Sequence, residues 1–336
     1  MPKTKVAIIG ASGYIANELL RILLSGEDVE IVALTSESEA GKRISDFNPH
    51  LGKFCDLTLE KFSPSIWEKA DVVFLALPHN VSQEFVKSLP KKCPKIIDLS
   101  ADFRLQDLAV FEKFYGKHTY GEKVPEFVYG LPELHRVEIK QAKFVANSGC
   151  FATASILALK PLAEKNLITQ ANISGFTGSS GIGRKPVEAS HHPVRNHNFK
   201  AYQIGCHRHL PEIQQETGVQ NINFTPHSAP VSRGIFLSVF VNLTKEISEE
   251  ELVKIYHKRY DSEPFVRVVE NAELANVVGS NQCDIAVKLI NKQVAHISAA
   301  TDNLMKGAAG TAVQNFNLIT GRSETAYLKN LLPLHP

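Results

Sequence analysis

No run of apolar residues in this chain of 336 approaches the roughly 18 that a membrane span needs, so no membrane partner is expected. Charge of one sign is also lacking: 37 Lys and Arg against 35 Asp and Glu leave a net +2, without the basic stripe that a nucleic-acid partner requires. The one short basic cluster, Lys91, Lys92 and Lys95 around Pro94, reads as a solvated loop. The five cysteines (Cys55, Cys93, Cys150, Cys206, Cys283) are scattered and include no C-x-x-C pair. Neither a disulfide framework nor a cysteine-based zinc site is signalled. Internal repeats and low-complexity tracts are absent. The opening "MPKTK" passes straight into the strand-like "VAIIG", which leaves no room for a signal or transit peptide. The expected location is the cytoplasm.

What remains is an ordinary globular composition, 43% hydrophobic and 21% charged, with enough length for two domains. "KVAIIGASGYIANELLRILLSG" reads as strand, glycine turn and helix, with Ile15, Leu19, Leu20 and Leu23 forming one helical stripe and Gly26 a stop. "VEIVALTS", "ADVVFLALP", "PKIIDLSADF" and "KFVANSG" follow as short, continuously apolar strands, the pattern of a parallel sheet covered on both faces. The first 150 residues therefore predict an α/β, Rossmann-type doubly wound parallel sheet. Beyond about residue 165, "ANISGFTGSSGIG", "GIFLSVFVNLT" and "DIAVKLINKQVAHISAA" have the alternating or β-branched character of antiparallel strands. "SEEELVKIYHKRY" is an amphipathic helix with Ser248 as N-cap. The expectation is an α+β second domain at 150–303 with a mainly antiparallel open sheet. Residues 1–149 and 304–336 make the dinucleotide-binding domain, because helical "NLMKGAAGTAVQNFNLITG" returns to it.

Gly10-Ala-Ser-Gly13-Tyr-Ile-Ala16 lies where the first strand gives way to the first helix. Glycines there let the backbone approach a pyrophosphate, which the helix N-terminus stabilises. The spacing is G-x-x-G-x-x-A, and a tight turn without ligand is the bland alternative. At the end of the second strand, Ser36 can hydrogen-bond a 2′-phosphate. Glu37 repels one unless it points away, and Lys42 and Arg43 are near enough to compensate. The residues lean to NADP over NAD.

In "NSGCFATA", Cys150 follows a buried strand and a glycine and opens an apolar helix. A helix N-terminus favours thiolate by about 0.3–1 kcal/mol, or about 2 when partly buried, which lowers a thiol near 8.5 by about one unit. A second contributor is needed, and histidine is the usual one. Five of the thirteen histidines fall between 191 and 209. In "CHRHLPE" an extended backbone would put His207 and His209 on one face with Arg208 opposite, and Pro211 suits the start of a helix. No further ligand with recognisable spacing accompanies the two histidines, so no metal is expected and an acid/base role is preferred. Cys206 lacks the strand–glycine–helix setting and reads as a packing residue.

Together these segments resemble the N-acetyl-γ-glutamyl-phosphate reductase family, the arginine-pathway branch of the aspartate-semialdehyde dehydrogenase superfamily. The resemblance runs through "GASGY" (10–14), "ALPHNVS" (76–82), "IIDLSADFRL" (96–105), "VYGLPELHR" (128–136) and "NSGCFATA" (147–154). It continues through "NFKAYQIGCHRHLPEI" (198–213), "FTPH" (224–227), "RGI" (233–235) and "DNLMKGAAGTAVQN" (302–315). It implies that 150–303 is a substrate and dimerisation domain. It also implies a homodimer or homotetramer that uses NADPH to reduce a small acyl phosphate, with Cys150 as nucleophile and His207 as acid/base. Tyr202 and His209 would hold substrate, with Arg104, Ser180 and Arg184 (followed by Lys185) as further contacts. Gly10, Ser12, Gly13, Tyr14, Ser36, Pro78, Gly181, Asn303, Lys306 and Gly307 would line the cofactor, "NLMKGAAG" lying at its nicotinamide end.

Three features depart from the family pattern. Ser148 stands where proline usually precedes the Gly-Cys pair, and an arginine common near Ser36 is missing. "ASHHPVRN" (189–196) is closer to the related lysine-pathway reductase of a carrier-linked aminoadipyl phosphate. A dinucleotide-binding redox sensor is the reading from another class, and it would give Cys150 no dependence on phosphate.

Overall fold

In the computed structural model, which describes residues 2–334, the short apolar segments of the first half become one sheet. Its strands are β1 (Thr4–Ile9), β2 (Val29–Thr35), β3 (Val72–Leu75), β4 (Lys95–Asp98), β5 (Phe127–Gly130) and β6 (Phe144–Asn147). Every neighbouring pair is parallel, in the order β2-β1-β3-β4-β6-β5. All four residues of β3 are buried, as strands flanked by helices on both faces must be. The strand order reverses between β1 and β3, the position where ligands bind in open α/β sheets.

"FVYG", which is not among the strands expected from the sequence, adds β5 at the edge beside β6. Among the described residues it pairs with β6 alone. Helices α1 (Tyr14–Leu23), α2 (Leu108–Tyr115) and α3 (Pro132–Gln141) belong to this half. The chain divides into two compact units, one holding the residues up to Ser148 together with Ala308–Asn330 and the other Gly149–Gly307 together with the residues from Leu331.

The second unit opens with α4 (Cys150–Ala163) and contains β7 (Ile168–Thr177), β8 (Lys200–Ala201), α5 (Leu210–Thr217), β9 (Ile222–Ser228) and β10 (Ile235–Leu243). It continues with α6 (Glu249–Tyr260), β11 (Val266–Val268), β12 (Cys283–Asn291) and β13 (Val294–Thr301). These strands form a seven-stranded sheet, β11-β12-β13-β10-β7-β9-β8. It is mainly antiparallel, with parallel pairs only at β7–β9 and β11–β12. Strand β10 alternates buried and open positions along its length. Its inward face meets α4, which the phenols of Tyr256 and Tyr260 on α6 brace by donating to the Ala158 and Leu157 carbonyls, both at 2.6 Å. The other face carries Phe236, which packs against Ala272, Val277, Ala286 and Ala300, and Phe240, which is 45% exposed; Phe176 of β7 pairs opposite Phe236. Ser248 caps α6 by accepting from the Glu251 amide at 3.1 Å.

The last helix, α7 (Gly310–Ile319), lies in the first unit. There Asn315 donates to the Gly130 carbonyl at 3.1 Å and to Asn147 Oδ1 at 2.9 Å, tying it to the ends of β5 and β6. No helix among the described residues is long and apolar enough to cross a membrane.

Candidate active site

In the first unit the loops after β1 and β3 touch. Gly10 has φ +89°, and a Cβ built on it falls 2.3 Å from the Ala76 carbonyl oxygen, so only glycine fits this turn. Gly13 is the N-cap of α1 and no side chain caps that helix, which leaves its first turn as a cradle for an anion. Ser12 and Ser36 share a hydroxyl–hydroxyl hydrogen bond at 3.1 Å. Ser36 is buried while Glu37 is exposed. Lys42 pairs with Glu39 at 2.8 Å and Arg43 with Asp56 at 3.1 Å, so both nearby cations already have carboxylate partners, in exposed pairs of small individual worth. Tyr14 lies exposed at the start of α1 and Pro78 exposed after β3. These residues fit the pyrophosphate and ribose of a dinucleotide.

Arg104 is buried. Its Nε donates to the Asn147 carbonyl at 2.7 Å and its Nη2 to the Leu99 carbonyl at 2.9 Å. Part of this guanidinium therefore clasps the ends of β4 and β6. Beside it lies a carboxylate pair that the sequence reading passed over. Asp98 accepts from Ser82 and Ser100 hydroxyls, both at 2.7 Å, and Asp102 accepts from the Asn80 amide at 2.7 Å. Burial, with the neighbouring Asp102, pushes the Asp98 carboxyl up to about 7.

In the second unit Cys150 is the first residue of α4, with Gly149 as N-cap. Gly149 is held at both ends: its carbonyl accepts from the Thr153 amide at 2.8 Å and hydroxyl at 3.0 Å, and its N–H donates to Glu212 Oε2 at 3.1 Å. Gly307 packs against the Cys150 side chain. Tyr202 is close enough to feel Cys150. Burial first, then negative charge at that sulfur, pushes its phenol up to about 12, so it stays a proton donor. The His207 ring lies 5.6 Å from Phe151, 5.9 Å from Tyr202 and 4.9 Å from His209.

Three expectations are corrected here. Residues 207–209 are a turn rather than an extended strand, with His209 at φ −87°, ψ −10° as N-cap of α5. The two imidazoles meet because the chain bends, not because alternate residues share a face. Burial, and then the Arg208 charge, lower His207 to about 4, so it is neutral at rest and supplies no charge to hold a thiolate. Its Nδ1 accepts the His209 amide at 3.1 Å, which puts the ring's single proton on Nε2. Cys206, expected to pack, is exposed.

Ser180 Oγ accepts from Asn303 Nδ2 at 3.0 Å, while Asn303 Oδ1 accepts the Gly234 amide at 2.7 Å. Gly181 and Arg184 are exposed on the adjoining turn, and Lys306 is fully buried in the π-turn Met305–Ala309. Asp302 organises that turn, accepting the Leu304 amide at 2.8 Å and pairing with Arg233 Nε at 2.9 Å. Arg195 of "HHPVRN" is structural, donating to the Ala229 and Thr177 carbonyls. His191 and His192 are exposed. No cluster of His, Cys, Asp and Glu among the described residues could hold a metal ion.

Thus Cys150, Tyr202, His207, His209 and Gly307 come together, whereas Arg184 stands at the surface. Glu212 is the participant that sequence reasoning missed. Its position three residues into a helix, after Pro211, signals only a local cap.

Residues 5–142 match the semialdehyde dehydrogenase NAD-binding domain family, and residues 150–303 the semialdehyde dehydrogenase dimerisation domain family. An N-acetyl-γ-glutamyl-phosphate reductase of Citrifermentans bemidjiense is 44% identical, covering 99% of both chains. One of Methanocaldococcus jannaschii is also 44% identical, over 95% of this chain and 96% of its own. The fold matches aspartate semialdehyde dehydrogenase II of Vibrio cholerae, solved in complex with ASA, with a TM-score of 0.72 at 17% identity, over 96% of this chain and 99% of that one. With near-complete coverage at this identity, the chain belongs to the N-acetyl-γ-glutamyl-phosphate reductase family of semialdehyde dehydrogenases.

Proposed function

We propose that the protein reduces N-acetyl-γ-glutamyl phosphate to N-acetylglutamate 5-semialdehyde with NADPH, releasing phosphate, in arginine biosynthesis in the cytoplasm. The observation that carries this reading is the cluster in which Cys150 opens α4 beside a protonated Tyr202 and a neutral His207. The Cys150 thiolate attacks the acyl carbon, and the bond to the phosphate oxygen breaks. Thiolate suits this role because it forms near neutrality and leaves readily. Bound NADPH supplies the hydride that reduces the resulting thioester. Backbone amides of the first turn of α4 and the Nε2–H of His207 meet the negative charge that develops on the carbonyl oxygen. Collapse of the thiohemiacetal breaks the C–S bond and returns the thiolate.

Tyr202 and His209 serve the substrate, with Ser180, Arg184 and Arg104 for its phosphate and carboxylates. Gly10, Ser12, Gly13, Tyr14, Ser36 and Pro78, with Gly181, Asn303, Lys306 and Gly307, serve the cofactor. The Ser12–Ser36 hydroxyl pair supports a 2′-phosphate. The relation to a dimerisation domain family and the exposed Phe240 on the open sheet support a homodimer or homotetramer.

The test is NADPH oxidation with N-acetyl-γ-glutamyl phosphate as sole acceptor. Turnover that Cys150→Ser abolishes, with NADPH binding intact, is the expected result; normal turnover in that variant ends the covalent scheme. A carrier-linked aminoadipyl phosphate in the same assay separates the lysine-pathway alternative, to which "ASHHPVRN" is similar.

A further inference from the structure

Glu212 is fully buried on α5, and its carboxylate does not do what its position invites. A glutamate at the third residue of a helix ordinarily reaches back to the N-cap amide. Here the N-cap amide, that of His209, is donated to His207 Nδ1 at 3.1 Å, and no side chain caps the helix. Glu212 turns instead to a peptide 63 residues away, accepting the Gly149 N–H on Oε2 at 3.1 Å. Its other oxygen lies 4.0 Å from His209 Nε2.

The glutamate therefore touches both halves of the cluster. Gly149 has no side chain with which to cap α4, and its peptide orientation aims the Cα–Cβ bond of Cys150. Thr153 fixes the carbonyl end of that residue and Glu212 the amide end. On its other side Glu212 adjoins His209, whose amide sets the His207 tautomer. We infer that Glu212 is a positioning residue, a clamp that holds the turn before Cys150 in register with the His207–His209 turn. This inference rests on Cys150 being the nucleophile.

Full-length Glu212→Ala and Glu212→Gln test it, assayed for NADPH oxidation, with NADPH titration and thermal melting as folding controls. A glutamine oxygen can still accept the Gly149 N–H; alanine cannot. The expected result for Glu212→Ala is a fall in kcat of about 10²-fold, the cost of an ångström of misplacement, with the KM for acyl phosphate little changed. Glu212→Gln restores most of it. Should the alanine variant fail to fold, the glutamine variant still decides, because near-normal kcat is required of it. Wild-type kcat in Glu212→Ala, or Glu212→Gln with a kcat lowered by about 10²-fold, overturns the clamp. Cys150→Ser run alongside keeps the two readings apart. Turnover in that variant removes the nucleophile itself, whereas an inactive Cys150→Ser beside a fully active Glu212→Ala removes the clamp alone.

Discussion

Gly307 and Cys150 meet with no room to spare. A Cβ built on Gly307 falls 2.9 Å from the Cys150 Cβ and 3.2 Å from the Asp302 carbonyl oxygen. The glycine at the bend of the π-turn is thus a wall beside the Cys150 side chain, required by close approach rather than by an unusual φ.

Gly307→Ala should therefore displace the sulfur. Overpacking of this kind costs about 1–3 kcal/mol of stability, while misplacement of the Cys150 sulfur, on the proposed function, should cost about 10²-fold in kcat. Steady-state kinetics beside a melting curve checks this, and wild-type kcat in a folded variant would refute it.

The turn after β1 makes a corresponding demand on cofactor binding. At Gly10 the φ of +89° and the approach to the Ala76 carbonyl both exclude a side chain. Gly10→Ala is expected to abolish NADPH binding in a fluorescence titration, with a loss of stability on the order of 1–3 kcal/mol from the strained backbone.

His207 sets an acid limit. Its folded pKa, about 4, lies below its ordinary 6.5 because burial and then Arg208 oppose the charge. Stability from this group is complete above pH 6.5 and is lost as pH falls toward about 4. A pH–rate profile should accordingly show no acidic limb at 6.5 due to this residue. Arg208→Gln should move its limb to higher pH, and His207→Gln should lower kcat by about 10²–10⁴-fold. A wild-type limb that Arg208→Gln leaves in place would contradict the assignment.

Asp98 works in the opposite direction. Its carboxyl is raised from 3.8 to about 7, so the native state holds the proton more tightly than the unfolded chain. The stability it contributes is present below pH 3.8 and is lost as pH climbs to about 7. Asp98→Asn should remove that slope. Its melting temperature relative to wild type should rise between pH 5 and 8, and a constant difference would refute the raised pKa.

Cys206 provides a control for the choice of thiol. It is exposed on the turn before His207 and lacks the glycine-to-helix setting of Cys150. Cys206→Ala should retain most activity, and loss of turnover in a folded protein would reopen the choice.

Local period and punctuation were enough to read the parallel sheet from "VAIIG", "VVFL" and "KIID", the open sheet from alternation in "GIFLSVFVNL", and the cap at Ser248. Each of these signals repeats or ends within a few residues. The setting of Cys150 was equally legible, because strand, glycine and helix are contiguous in the chain. Only the tertiary structure decided that "FVYG" is a strand, that residues 207–209 bend, and that His207 is neutral. It alone paired the Glu212 carboxylate with the Gly149 amide. These depend on what lies across the fold: an edge to pair with, a burying wall, an amide 63 residues distant. Sequence spacing does not encode such neighbours, because packing brings them together only after the local elements have formed.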